Sequence, residues 1–176
     1  MHDISAEAGI SVGLIYRYFE NKEAVISAMA DRHKKEIGEV LERARQASTL
    51  LESLEILFTA HCCENEPRLL SAFVVDLYSE ASRNPRVADL VRDVLQTAMG
   101  GVTDLIARAP ETQSAAHGLS SKELAELIFA VARGMLMLDV LRPQEMTAAE
   151  RRERQLEVTR RLWRLMFKPE GELAYA

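Results

Sequence analysis

An all-α fold follows from three observations. Glycine (8) and proline (5) are scarce in the 176 residues, and only ten residues are aromatic. β-Branched residues never cluster for long, which disfavours a sandwich or barrel. Apolar residues recur at helical spacing almost throughout, punctuated by helix-start and helix-stop residues. Eight or nine helices and no strand are expected.

The elements read in order as follows. Asp3 to Ala8 is a short helix that Gly9 ends, since glycine tolerates the left-handed conformation. Ser11 is an N-cap for a second short helix through Tyr18 or Phe19. Asn21 caps a longer one reaching about Ala44, with Val25, Met29, Ile37, Val40 and Leu41 as its apolar positions. Ser48 or Thr49 starts the next, which carries Leu50, Leu54, Leu57 and Phe58 on one face and stops before Pro67. Arg68 to Ser82 is densely apolar. Asn84-Pro85 is a start signal with proline at the first helical position, and its helix extends to Ala109. Gly100-Gly101 predicts a kink there. Pro110 to Leu119 reads as a loop. Ser120 or Ser121 with Glu123 resembles a capping box for a helix to Leu141, closed by Arg142-Pro143. Thr147 opens the last helix, to about Lys168.

Composition excludes several classes. Lys and Arg number 22 against 27 Asp and Glu, a net charge of −5. A uniformly basic nucleic-acid coat is ruled out, whereas a small basic patch is not. The only cysteines, Cys62 and Cys63, are adjacent, which excludes a disulfide framework and points to a reducing cytoplasm. No stretch approaches the ~18 uninterrupted apolar residues of a membrane span, and Met1 to Ala8 lack the order of a secretory signal. The charge is uneven. Residues 1–35 are neutral, residues 36–141 are acidic and residues 142–168 are basic.

The informative segment is residues 4–23, a short helix, a glycine-containing turn and a second short helix. This is the layout of a helix-turn-helix. Ile4, Ala8, Ile10, Ile15 and Phe19 would form its shared core, and Gly9 supplies the positive φ of the turn. The second helix would point its N-terminal end into the major groove. Val12 and Leu14 suit thymine methyls, Arg17 suits a guanine edge, and Gly13 allows close backbone approach. The hydroxyls of Tyr16 and Tyr18 suit phosphates, as does Lys22 at the start of the next helix.

The run Ile-x-x-x-Ala-Gly-Ile-Ser-x-Gly-x-Ile-Tyr-x-Tyr-Phe-x-Asn-Lys-Glu resembles the DNA-binding signature of the TetR family of bacterial transcriptional regulators. The resemblance implies a helix-turn-helix within residues 1–45, a helical effector-binding and dimerisation domain over residues 46–176, and a homodimer. It assigns Tyr16, Tyr18 and Lys22 to phosphates and Val12, Gly13, Leu14 and Arg17 to base-facing positions. Family members carry a further helix before this motif, whereas Met1 falls where their second helix starts. A misplaced start or a trimmed chain is therefore expected. If the chain is complete as given, poor DNA affinity is expected.

Other features have competing readings. His61, Cys62, Cys63 and Glu64 do not fit zinc spacing, because consecutive helical residues point about 100° apart; small buried hydrophobes suit the cysteines better. Asp76 and Arg133 lie in apolar helices, either as polar anchors of an effector pocket or, more commonly for such charges, as ion pairs or a water-facing edge. Phe58, His61, Phe73, Met99, Phe129 and Met137 complete the candidate pocket, although core filling is the commoner role for each alone. The cluster Arg151-Arg152-Glu153-Arg154 and Arg160-Arg161 reads as the solvated face of an amphipathic helix whose other face carries Leu156, Leu162, Trp163 and Met166. That helix and the stripe from Leu124 to Leu141 are the candidate dimer surface, a four-helix bundle across two subunits.

No catalytic constellation, phosphate loop, metal site or cofactor motif emerges. The sequence thus reads as a ligand-responsive transcriptional regulator, most naturally a repressor that a small organic effector releases from double-stranded operator DNA. The alternative is a ligand-binding or interaction protein whose DNA binding is impaired because the first helix is missing.

Overall fold

The computed structural model describes residues 5–6, 8–62, 67–110, 118–141 and 147–167. Among them are seven helices and no strand. They are α1 (Val12–Tyr18), α2 (Lys22–Arg45), α3 (Leu50–Cys62), α4 (Pro67–Ala81), α5 (Pro85–Arg108), α6 (Ser121–Leu141) and α7 (Ala148–Phe167). Ser5, Ala6 and Ala8 are also helical, so the helix expected over residues 3–8 is present as far as it is described. The Arg142-Pro143 stop, most of the 110–119 loop and Cys63-Glu64 lie outside the described residues.

Local chemistry sets the helix starts. Ser11 accepts a hydrogen bond from the Leu14 amide at 3.1 Å, and Asn21 accepts one from the Ala24 amide at 2.9 Å. The Asn84 side chain caps α5, with Pro85 in its first turn. Ser120 with Glu123 and Thr147 with Glu150 form reciprocal capping boxes, each satisfying two orphan amides. Gly9, at φ +62°, turns the chain between the first helical residues and α1.

The main core joins α3, α5, α6 and α7 through Leu54, Ile106, Ala125, Ile128, Trp163 and Phe167. A second cluster, Leu41, Ala44 and Leu105, fixes the C-terminal half of α2 to α5, with Ile37, Ile56 and Leu57 packed against it. The long α2 therefore leaves the N-terminal unit and enters the body.

Three expectations need correction. Gly100-Gly101 does not interrupt α5, which is continuous from Pro85 to Arg108. Gly101 is buried, and a Cβ there would lie 2.3 Å from Leu41 Cδ1. It is a close-packing glycine, needed where α2 crosses α5. Of the five residues expected to form the helix-turn-helix core, Ile4 lies outside the described residues, Ile15 is buried and Phe19 half-buried, but Ala8 and Ile10 are exposed. Two helical pieces this short have too few neighbours to enclose Ala8 and Ile10 as well. Arg151 is buried rather than solvated. It begins the i, i+4 stripe Arg151, Gln155, Thr159, Trp163 and Phe167 that α7 turns inward, while Arg152, Arg154, Arg160 and Arg161 face water.

Candidate functional site

The outward surface of α1 is the first candidate. Ile15 anchors the helix inward, and the helical period then turns Gly13, Leu14, Tyr16, Arg17 and Tyr18 outward. Tyr18 is 75 % exposed and Tyr16 51 %. Val12 is half-buried beside the Ser11 cap. Among the described residues no carboxylate lies within ion-pair distance of Arg17.

Lys22 differs. At the start of α2, its Nζ lies 3.4 Å from Glu80 Oε2 on α4. Arg83 also donates to Glu80 at 3.2 Å, and Arg83 first and Lys22 next hold that carboxyl below the usual carboxylate range. Glu23 accepts from the Asn84 side chain and from Arg86, each at 3.1 Å. Asn84 first, then Arg86, hold the Glu23 carboxyl down as well. Farther along α2, Lys34 reaches Asp93 of α5 at 2.7 Å. Polar ties thus join α2, the helix that follows α1, to α4 and α5. Sequence reading missed them, because each spans about sixty residues and neither partner is unusual in its own helix.

The second candidate is a cavity of about 1090 Å³ bounded by α2 to α6 and Trp163 of α7. Of the candidate pocket residues, Phe58, Phe73, Phe129 and Arg133 line it. Asp76 faces solvent, and Met99 and Met137, both half-buried, lie outside the lining. The His61 side chain is outside the described residues. Arg133 sits with its guanidinium carbon 5.8 Å from the centroid of the Tyr78 ring, within cation–π range. Among the described residues it has no carboxylate partner. Ile37 and Val40 of α2, Leu90 and Val94 of α5, and Trp163 complete the wall. The apolar periodicity of α2 and α5 was their only signal in the sequence, and that pattern does not separate a cavity wall from a packed core.

Among the described residues no group of three or more His, Cys, Asp or Glu side chains is placed to hold a metal ion. No described helix is long and apolar enough to cross a membrane.

These features define a class: an all-α chain that presents a capped helix-turn-helix at its N-terminus and carries a large apolar cavity in its helical body. Residues 1–29 match the family model described as bacterial regulatory proteins, tetR family. No curated protein matches the chain. Solved structures with the same fold include a putative TetR-family transcriptional regulator from Rhodococcus sp., with 16% identity over 94% of this chain and 86% of that one, at a TM-score of 0.68. A putative transcriptional regulator from Saccharomonospora viridis in complex with choline has 19% identity over 89% of this chain and 82% of its own, also at 0.68. The transcriptional regulator FadR from Bacillus subtilis in complex with stearoyl-CoA has 19% identity over 88% and 83%, at 0.65. At these identities the likeness is one of fold. The TetR-family resemblance of the motif is borne out: the N-terminal segment matches the family model, and the chain has the fold of TetR-family regulators.

Proposed function

We propose that the chain is a ligand-responsive DNA-binding transcriptional regulator, a repressor that a small organic effector releases from its operator. The observation that carries this reading is the course of α2. It begins at Lys22, beside the reading helix, and supplies Ile37, Val40 and Leu41 to the cavity wall. One rigid element therefore touches both sites. An effector that binds better when α2 sits in one position shifts the population toward that position.

In this reading residues 1–45 are the DNA-binding domain and residues 46–176 the effector-binding and dimerisation domain. Val12, Gly13, Leu14 and Arg17 face the bases, and Tyr16, Tyr18 and Lys22 hold the phosphates. A homodimer spaces two reading helices by about 34–36 Å, one turn of DNA. Its interface is α6 with α7, where Leu127, Leu138, Leu141, Val158 and Leu165 are exposed. A monomer gains nothing from exposed leucines placed along two neighbouring helices, whereas a four-helix bundle buries them. The neighbours complexed with stearoyl-CoA and choline support the idea that this fold accepts organic effectors of different chemistry.

The test is an electrophoretic shift assay with the DNA upstream of the protein's own reading frame. Specific, salt-sensitive binding is expected, and it should weaken when effector is added. A folded protein that binds ligand but shifts no DNA would return the chain to the class of ligand-binding or interaction proteins.

A further inference from the structure

We propose that the cavity takes an anionic amphiphile, a long apolar chain ending in a carboxylate, with the carboxylate paired to Arg133. This inference rests on the reading of the cavity as an effector site and names the chemical class of the effector.

Size comes first. At about 1090 Å³ the cavity lies just above the ~300–1,000 Å³ usual for small-molecule sites. Its wall is dominated by aliphatic and aromatic side chains, Phe58, Phe73, Phe129 and Trp163 among them. A small polar metabolite would leave most of that wall unfilled, whereas a long apolar chain would cover it.

Charge comes second. Among the described residues, Arg133 is the charged side chain that α3 to α7 contribute to the wall. The other charged lining residues, Arg32, His33, Glu36, Glu39, Glu42 and Arg43, all belong to α2. On α2, Arg32 pairs with Glu36 at 2.8 Å and Glu42 with Arg45 at 3.0 Å. Arg133 has no such carboxylate among the described residues. A half-buried guanidinium without a carboxylate is a fixed positive charge in apolar surroundings, where an anion with forked geometry binds best. The Tyr78 ring lies beside it, 5.8 Å from the guanidinium carbon to the ring centroid; a ring contact of this kind does not use up the N–H donors.

The chain carries its own reporter, because Trp163 is its single tryptophan and lines the cavity. Trp163 fluorescence is titrated with dodecanoate, dodecan-1-ol and dodecyltrimethylammonium, all below their micelle concentrations. Dodecanoate should bind at least about tenfold more tightly than the alcohol, as a charge-assisted pair requires. Arg133→Gln should erase that preference while alcohol binding persists, and Arg133→Lys should keep most of it. Equal binding of carboxylate and alcohol by the wild-type protein overturns the proposal whether or not the variants fold. So does tightest binding of the ammonium, or a preference that survives in Arg133→Gln. The titration contains no DNA, so its failure is separate from failure of the regulator reading. Carboxylate binding that leaves operator affinity unchanged would defeat effector release alone. Release by some other compound, with no carboxylate binding, would defeat the inference alone.

Discussion

Gly101→Ala probes how the helix leaving the reading head is seated on the body. An alanine Cβ at this position would lie 2.3 Å from Leu41 Cδ1, 2.6 Å from Cδ2 and 3.0 Å from Cγ. Carbon atoms in contact settle near 3.5–4.0 Å, so both methyls overlap the new atom by about an ångström. Leu41 is itself only 5 % exposed and packs on Leu105. Overpacking of this kind costs about 1–3 kcal/mol. Alanine recovers up to about 1 kcal/mol over glycine in a helix interior. The net expectation is a loss of about 1 kcal/mol, within a range of roughly 0–2 kcal/mol. In a Leu41→Ala background, which alone costs about 2–5 kcal/mol, the obstructing methyls are gone. The same Gly101→Ala change should then stabilise by up to about 1 kcal/mol. The coupling energy of the cycle is therefore about 1–3 kcal/mol. Urea unfolding of the four proteins at one fixed concentration measures it, because a dimer's apparent stability depends on concentration. Equal effects of Gly101→Ala in the two backgrounds would refute the close crossing of α2 and α5.

Further outcomes follow from the reading head, the polar ties and the bundle face. Arg17→Ala should cost about 1–3 kcal/mol at the operator position it reads and relax specificity there. Lys22→Ala should weaken binding across all sequences and reduce the salt slope by about one; fluorescence anisotropy at several salt concentrations separates the two patterns. Glu80→Gln removes the carboxylate that competes with phosphate for Lys22, so operator binding should tighten at low salt, and weaker binding would argue that Glu80 positions Lys22 instead. Glu23 and Glu80 have folded pKa values below their ordinary value of 4.5. The stability they add is present above that value and lost as pH falls through the lowered one. Acid titration of the melting temperature should therefore be flatter, from 4.5 down through the lowered values, in the Glu23→Gln and Glu80→Gln variants than in wild type. Leu138→Glu, at a 56 % exposed position on α6, should shift the protein from dimer to monomer by light scattering with its helical content kept. A monomeric wild-type protein would remove the bundle interface.

The reading head was legible because its interactions are local. Ser11, Asn21, Asn84, Ser120 and Thr147 cap helices through amides two or three residues away, so the sequence carries both partners side by side. The outward positions of α1 were legible for the same reason, since burial of Ile15 fixes the phase of a short helix. The cavity was legible only in part. Phe58, Phe73, Phe129 and Arg133 meet there, whereas Asp76 faces water and Met99 and Met137 lie elsewhere. An apolar stripe says that a face is covered and leaves open whether the cover is a neighbouring helix or a cavity.

By itself the sequence determined the all-α class, the helix starts and the twenty or so residues that carry the regulator signature, all through interactions within a turn or two of chain. Tertiary structure alone decided that Gly101 is a crossing point, and that Arg151 turns inward. It also decided that Lys22 meets Glu80 and that Arg133 lines the cavity with no carboxylate paired to it among the described residues. Those contacts join residues far apart in the chain, and their geometry is set by how long helices cross, which local periodicity does not encode.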